Sequence, residues 1–341
     1  MNKILTVIIP TYNMEALLPR CLTSLVCNDY NARAAIEALV VIDGATDRSS
    51  EIAHVYEKKY PELFRVIDKE NGNYGSCINR ALNEANGKYI KVLDADDSFN
   101  TEALEQFVSI LANTDADMIV TSGVNVTPQG EENFQWEFIY QSGMVYPIEQ
   151  LHHVWIHDVT HKTALLRSIA YHQTEGISYS DEEWVFFPMF QVRDFLALNL
   201  RLYRYTVGRD GQTMNPKNWK RAASHEMIVS RKMMDYLKSI NWNTGRASNY
   251  IQEKMRDRME GFFNRALIVC HLYDSEDIKD FDFYIKASCP DLWQQLDMLK
   301  ANSHHFSFHY VRYWRNHNYN LNRLFNMFRL YQVWEKLRNL K

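Results

Sequence analysis

Residues 87–97 read GKYIKVLDADD, an apolar run that is followed at once by three carboxylates. The run predicts a strand over residues 89–93. Side chains two residues apart in an extended chain point to the same side, so we expect Asp94 and Asp96 to share a face. Mg²⁺ and Mn²⁺ prefer one or two carboxylates together with phosphate oxygens and water. The motif therefore predicts a cation site, although an acidic turn capping a helix near Thr101 would contain the same residues.

Similar apolar runs alternate with helical patterns over the first 121 residues. Further strands are predicted at residues 4–9, 36–42, 64–67 and 118–121, and helices at residues 15–26, 76–85 and 101–111. This alternation predicts an α/β fold with a central, mostly parallel sheet and helices on both of its faces. Such sheets bind ligands beyond the carboxyl ends of their strands. Polar residues follow the strands here, namely Thr11, Tyr12, Asn13, Asp43, Gly44, Asn71 and Gly72.

The strand and helix pattern changes along the chain and suggests two regions. Residues 1–213 are predicted to form one domain, in which residues 1–121 hold the regular alternation and residues 122–213 mix short strands and turns. Residues 214–341 are predicted to be a helical C-terminal region, with helices over residues 222–240, 247–272 and 321–340.

Composition and charge exclude several classes of protein. Hydrophobic residues make up 46% of the 341 positions and the net charge is −4, which argues against disorder and against a general nucleic-acid binder. Five scattered cysteines without a CxxC spacing favour a reducing compartment. The first residues lack the apolar length of a signal peptide, and no stretch approaches the ~18 apolar residues of a membrane span. We therefore expect a cytoplasmic protein that is soluble or at most peripheral at the inner face of the membrane.

The polar residues after the second and third strands suggest nucleotide contacts. Asp43 is suited to accept a hydrogen bond from a ribose hydroxyl or a base N–H. Asn71 and Gly72 precede a predicted helix, whose first backbone N–H groups can hold a phosphate, although glycine turns before helices are common. The motifs GxGxxG, GxxxxGK[ST] and GxSxG are absent from the sequence. Dinucleotide-binding enzymes, P-loop NTPases and α/β-hydrolases are therefore disfavoured.

Four stretches together resemble the family-2 glycosyltransferases, which have the GT-A fold. These are VIIPTYN (7–13), VIDGATDRS (41–49), ENGNYGSCINRAL (70–82) and GKYIKVLDADD (87–97), in the family's order and near its spacing. The resemblance implies transfer of a sugar from a nucleotide-activated donor, with inversion and with Mn²⁺ or Mg²⁺. The first half of the predicted domain, residues 1–121, would then bind the nucleotide sugar, and residues 122–213 the acceptor.

The resemblance also implies roles for individual residues. Thr11, Tyr12 and Asp43 would hold the base and ribose, and Asn71 and Gly72 would line the nucleotide pocket. Asp94 and Asp96 would be the DxD pair, with Asp96 as the direct metal ligand.

The acceptor side is less clearly marked in the sequence. An inverting transfer needs a carboxylate that takes the proton of the attacking hydroxyl, and Asp181 in YSDEEW (179–184) is the candidate, with Glu182 as the alternative. A solvated acidic loop capping a helix would explain the same residues. His161 is a candidate late metal ligand, and Arg209 in VGRDGQT (207–213) a candidate phosphate contact or an ordinary surface turn.

The predicted function is non-processive transfer from a nucleotide-diphosphate sugar, of the UDP type, to a hydroxyl of a glycan or lipid-linked glycan. The C-terminal stretch from His304 is basic and rich in aromatic residues, so its helix would contact an anionic membrane surface, its own helical region or the second subunit of a homodimer. Two alternatives remain: a nucleotidyltransferase that makes sugar nucleotides, and a non-catalytic binding protein of the same fold.

Overall fold

The computed structural model describes residues 2–208, 216–240, 245–302 and 307–322. Two compact units are present, one formed by Met1–Gln212 with Trp242–Tyr250 and the other by Thr213–Asn241 with Ile251–Lys341. The domain division at residue 213 stays a prediction. Arg209 and almost all of the predicted helix 321–340 lie outside the described residues.

The first unit contains a ten-stranded sheet. Its strands are β1 (Leu5–Thr11), β2 (Ile36–Asp43), β3 (Phe64–Lys69), β4 (Tyr89–Val92), β5 (Ser98–Phe99), β6 (Met118–Val126), β7 (Glu132–Gln135), β8 (Val145–Pro147), β9 (Val159–Lys162) and β10 (Asp194–Thr206).

The central order of the strands is β3-β2-β1-β4-β9-β6-β10-β5. Strands β1 to β4 pair in parallel, as predicted, whereas β9 lies antiparallel between β4 and β6. The α/β class is confirmed, and the sheet is mixed, with parallel and antiparallel pairs.

Burial explains why the central strands form where they do. The side chains of Val7 and Ile9 on one face of β1 and of Ile8 on the other are all fully buried, as expected of a sheet that is covered on both faces. In the register of the sheet, Thr11 pairs with Ile42, and Val92 pairs with Ile8. The carboxyl ends of β1, β2 and β4 therefore lie along one edge, which is where the predicted site residues follow.

Within the described ranges, six α-helices belong to the first unit. They are α1 (Leu18–Thr23), α2 (Tyr30–Ala35), α3 (Ser49–Lys59), α4 (Asn73–Glu84), α5 (Thr101–Asn113) and α6 (Thr163–Ser168). The sequence analysis missed α2, whose first turn is capped by the Asp29 carboxylate. Helix α4 begins three residues before the predicted start at Ser76, so its first turn lies directly against the end of β2.

Helices dominate the second unit. They are α7 (Pro216–Ser239), α8 (Ser248–Phe263, which begins in the first unit), α9 (Glu276–Ser288), α10 (Pro290–Leu296) and α11 (Tyr310–Asn316), with a π-helical turn at Asn264–Val269 and the strands β11 (Lys300–Asn302) and β12 (Ser307–His309). The buried Trp219 indole donates to Glu226, which also pairs with Arg265. Across the described ranges, no helix combines the length and apolar character that a bilayer crossing needs.

Helix α4 packs so closely on the chain at residues 173–174 that only glycine fits at position 75. A Cβ atom added to Gly75 would lie 2.1 Å from the carbonyl oxygen of Thr174. Because that oxygen is part of the backbone, we predict that Gly75→Ala destabilises the first unit by about 1–3 kcal/mol. Thermal unfolding followed by circular dichroism measures the change.

A helical glycine with a flexible neighbour is the control. The same atom added to Gly261 in α8 would meet the end of the Arg265 side chain at 3.2 Å. Gly261→Ala is expected to be neutral or to stabilise α8 by up to about 1 kcal/mol. Equal melting temperatures for Gly75→Ala and the wild type would contradict the close packing.

Candidate active site

Asp43, at the end of β2, is the centre of a hydrogen-bonded cluster that includes two predicted nucleotide residues. Its Oδ1 atom accepts from the Gly72 amide at 2.9 Å and from the Lys69 ammonium at 2.6 Å. The Asn71 side chain donates to the Asp43 carbonyl oxygen at 2.9 Å. Gly44 follows with φ of +66°, a backbone conformation that favours glycine and reverses the chain. The structure thus brings Asp43, Asn71 and Gly72 together.

Thr11 and Tyr12 lie at the end of the neighbouring strand β1. The Thr11 hydroxyl is buried and donates to the Ile9 carbonyl oxygen at 3.1 Å, whereas the Tyr12 side chain is 49% exposed. Asn13 turns the chain with φ of +52°, and its side chain accepts from the Thr46 amide. Of these two predicted residues, Tyr12 therefore offers the open surface on which a base can stack.

The first turn of α4 connects this cluster with the carboxylates after β4. Tyr74, two residues after Gly72, donates from its hydroxyl to Asp94 Oδ1 at 3.0 Å. Burial, followed by the charges of Asp94 and Asp181, raises the pKa of the Tyr74 hydroxyl well above its ordinary value. The hydroxyl therefore stays protonated and remains a donor to Asp94 at neutral pH.

Asp97 ties the acidic turn to β10. Its two carboxylate oxygens accept from the Tyr203 hydroxyl at 2.8 Å and from the Thr206 amide at 2.7 Å. Burial and the charges of Asp96 and Asp94 raise the pKa of Asp97. The backbone of Asp96 is held as well, because its carbonyl oxygen accepts from Arg20 at 2.7 Å. These contacts fix the turn through Asp96 and Asp97, while the Asp94 side chain stays partly exposed.

One group of described residues brings three metal-ligating atoms within 4.8 Å of one another: Asp94, Asp97 and His157. His157 Nε2 lies 3.2 Å from Asp94 Oδ2. Burial lowers the basicity of the His157 imidazole, but the hydrogen bond and charge of Asp94 outweigh it and raise the pKa. Carboxylate and imidazole donors fit Mn²⁺, and the partial exposure of Asp94 and His157 fits an ion shared with a ligand.

The predicted metal residues are only partly represented in this group. Asp94 belongs to it, whereas Asp96 does not, so direct ligation by Asp96 stays a prediction. The structure does not bring His161 to the group, since His161 lies in β9 with its side chain fully buried. Its Nε2 atom lies 3.0 Å from the Trp184 carbonyl oxygen, and burial lowers its pKa to about 4. His157, four residues earlier, occupies the place predicted for His161.

Asp181 and Glu182 begin a 3-10 turn, Asp181–Val185, and face different surroundings. Burial is the main cause of the raised pKa values of Tyr74 and Tyr250; the charge of Asp181 adds to the first, and the charge of Glu182 to the second. The role of Asp181 as a base stays a prediction. The turn itself is fixed by Glu183, a buried carboxylate that accepts from the amide and hydroxyl of Thr174.

Three side chains in this region have positions that the sequence did not indicate. Trp184 is fully buried beside His161, so it is a core residue. Tyr74 and His157 received no role, although Tyr74 lies inside the NGNYG stretch and His157 close to the predicted His161. The sequence could have indicated a role for Tyr74, because Tyr74 lies in the first turn of a helix that follows a strand with polar residues at its end.

The chain is similar to known glycosyltransferases in sequence and in fold. Residues 6–174 match the model of glycosyl transferase family 2. A glycosyltransferase of Mycoplasma pneumoniae, the MG060 homolog, is 36% identical over 118 residues, which are 34% of this chain and 39% of the relative. The glycosyltransferase GlyG of Streptococcus pneumoniae is 23% identical over 308 residues, which are 84% of this chain and 96% of GlyG.

Among solved structures, S. aureus TarS 1–349 in complex with UDP-GlcNAc has a TM-score of 0.61 at 19% identity, covering 85% of this chain and 82% of that one. This likeness confirms the predicted GT-A fold. The first curated relatives match over about a third to two fifths of their own length. The family model, the relatives and the shared fold agree, and residues 6–174 belong to glycosyl transferase family 2.

Proposed function

We propose that this chain transfers one sugar from a nucleotide-diphosphate donor, of the UDP type, to a hydroxyl of a glycan or lipid-linked glycan, with inversion and with a divalent cation. The observation that carries the proposal is the first turn of α4, which contacts Asp43 through Gly72 and Asp94 through Tyr74. The proposal places the nucleoside at one end of this turn and the diphosphate at the other.

The donor assignment is supported by the cluster at the ends of β1 and β2. Asp43, Asn71 and Gly72 are in mutual contact, and the exposed ring of Tyr12 lies at the end of the adjacent strand. The TarS structure of similar fold holds UDP-GlcNAc. We therefore assign the base and ribose to this cluster and keep UDP as the proposed nucleotide.

The cation is assigned to the acidic turn. Asp94 and His157 would hold Mn²⁺ or Mg²⁺, and Asp96 remains the predicted further ligand. A bound divalent cation would neutralise the charge that develops on the departing diphosphate. Asp97, whose two oxygens are bonded to Tyr203 and Thr206, acts in this proposal as the anchor of the turn.

Asp181 is the proposed general base. As the acceptor oxygen forms a bond to the anomeric carbon, the bond from that carbon to the diphosphate oxygen breaks and UDP departs. The acceptor proton passes to the Asp181 carboxylate. Asp181 is preferred to Glu182, as the family pattern implies, and its charge adds to the burial that raises the pKa of Tyr74.

The remaining parts of the proposal concern location and assembly. The enzyme would be cytoplasmic. Its predicted C-terminal helix would contact a second copy of the chain or the inner face of the membrane, where a lipid-linked acceptor would lie. A nucleotidyltransferase is not favoured by any contact of the site, because Thr11, Tyr12 and Asn13 follow β1 in place of a basic glycine-rich loop.

The first prediction concerns the general base. Asp181→Asn should reduce the rate of sugar transfer by roughly 10²–10⁴-fold, because the amide cannot take the acceptor proton. The affinity for UDP, measured by calorimetry, should stay close to that of the wild type. Glu182→Gln is the matched control, with an expected change in rate of less than about threefold. A larger loss in Glu182→Gln than in Asp181→Asn would reverse the assignment.

A second prediction concerns the donor and the cation. UDP should raise the melting temperature of the protein, and more strongly with Mn²⁺ than without it, because a ligand of the folded state stabilises by mass action. In Asp94→Asn the additional effect of Mn²⁺ should be lost while the effect of UDP alone remains. Absence of any shift with a panel of nucleotide sugars and nucleotides would contradict the donor site.

A third prediction separates an enzyme from a non-catalytic binding protein. The wild type should slowly hydrolyse its donor in the presence of Mn²⁺ when no acceptor is added, and Asp96→Ala should not. The release of UDP, measured by a coupled assay, is the readout. Donor binding without hydrolysis or transfer by the wild type would support the binding protein instead.

A further inference from the structure

Trp136 is held in one orientation beside the acidic turn, although its ring is not part of the core. It follows β7, and its backbone amide donates to the Gly123 carbonyl oxygen at 3.0 Å. Its indole N–H donates to Asn125 Oδ1 at 2.7 Å. The ring stacks on the buried Tyr203 ring with a centroid distance of 6.0 Å and an interplanar angle of 24°. The backbone amide, the indole nitrogen and one face of the ring are therefore all in contact with other residues.

Gly123 is what allows the indole to lie there. A Cβ atom at this position would be 2.5 Å from Cζ3 and 2.6 Å from Cε3 of Trp136. Gly123 lies in the interior of β6, where glycine weakens a strand and marks a site of close approach. At this point the Trp136 ring approaches the strand closely and lies where the side chain of any residue other than glycine would be.

The held indole is next to the residues assigned to the cation. The His157 ring centroid is 6.3 Å from that of Trp136 and 4.6 Å from that of Tyr203. His157 Nε2 in turn lies 3.2 Å from Asp94 Oδ2. Trp136 and His157 are partly exposed, whereas Tyr203 is fully buried. The partly exposed indole is thus separated from Asp94 by one side chain, that of His157.

We propose that Trp136 forms a binding surface for a pyranose ring. The proposal rests on the proposed function, since the reacting sugars of a glycosyltransferase meet next to the diphosphate. An indole face is flat and apolar and matches the face of a pyranose that carries axial C–H bonds, while the hydroxyls at the sugar's edge stay available to polar groups. The pyranose belongs either to the donor or to the acceptor, and the chemistry of recognition is the same for both.

The most direct test observes the indole itself. The full chain is labelled with 5-fluorotryptophan, and the ¹⁹F signal of Trp136 is assigned by its absence in Trp136→Ala. Methyl glycosides of glucose, galactose and N-acetylglucosamine are added as probes, followed by UDP-GlcNAc and by UDP, each with the diamagnetic cation Mg²⁺. We expect one of two results: the signal of Trp136 shifts with at least one glycoside, or it shifts with UDP-GlcNAc but does not shift with UDP. Trp155, which is 53% exposed and contacts His153, is the control signal.

Kinetics distinguish the two sources of the sugar. If the ring is the acceptor's, Trp136→Ala should raise the KM for the glycoside at least tenfold, a larger change than it makes in the rate of UDP release without acceptor. If it is the donor's, the ratio of UDP-GlcNAc affinity to UDP affinity should fall by a similar factor. Trp136→Phe, which keeps an aromatic face, should restore most of the loss. Either pattern supports the pyranose surface, and Trp155→Ala should show neither.

The outcomes also separate this inference from the proposed function. Binding of UDP with Mn²⁺, together with an unchanged Trp136 signal for every glycoside and for UDP-GlcNAc, would overturn the pyranose surface and leave the donor site intact. A shift with a glycoside in a protein that binds no nucleotide would support the surface and overturn the proposed function. Should Trp136→Ala fail to fold, the ¹⁹F titration of Trp136 in the wild type, assigned with Trp136→Phe, decides alone.

Discussion

The Gly72 amide and the Tyr74 hydroxyl, two residues apart at the start of α4, donate to the carboxylates of Asp43 and Asp94. This pair of hydrogen bonds sets the distance between the ends of β2 and β4 on the open edge of the sheet. Asn71 strengthens the first contact through the Asp43 backbone, and the raised pKa of Tyr74 preserves the second. The proposed nucleotide and diphosphate positions both depend on where this turn lies.

Several negative charges are collected at this edge, and the fold compensates them in different ways. Lys69 pairs with Asp43, and Asp97 is buried with its oxygens bonded to Tyr203 and Thr206. Lys91 is fully buried in β4, where burial lowers the pKa of its ammonium group, and it donates to the His157 carbonyl oxygen at 2.7 Å. Lys91 thereby holds the backbone of His157 against the sheet. Asp94, the carboxylate that a tyrosine and a histidine contact, remains accessible at the surface.

The sequence was sufficient for the parallel half of the fold because its signals are local. Buried β-branched runs predicted β1 to β4 close to their observed bounds, and the polar residues after them predicted the edge where Asp43 and Asp94 lie. Pairings between distant segments were not predictable in this way. Strand β9 inserts antiparallel between β4 and β6, which buries His161 and places His157 beside Asp94. No local pattern distinguishes these two histidines, because the choice depends on where the strand begins.

The same limit applied to the aromatic residues. Trp184 and Trp136 both lie in the region of mixed short strands. The residues next to them in the sequence do not indicate that Trp184 is a core residue and that Trp136 is partly exposed. Burial of Trp184 follows from the 3-10 turn that Glu183 fixes on Thr174. The position of Trp136 follows from Gly123, which is 13 residues earlier and opposite to it across the β6–β7 pair. Recognition of such a pair requires the strand register.

The central claim is that one turn of α4 joins a nucleoside site at Asp43 to a cation site at Asp94. A crystal of the protein with UDP and Mn²⁺, measured at the manganese absorption edge, tests it most directly. We predict an anomalous peak in contact with Asp94, His157 and the diphosphate, with uracil next to Asp43. A manganese peak at another place, or a uracil remote from Asp43 while the diphosphate is ordered, would contradict the account.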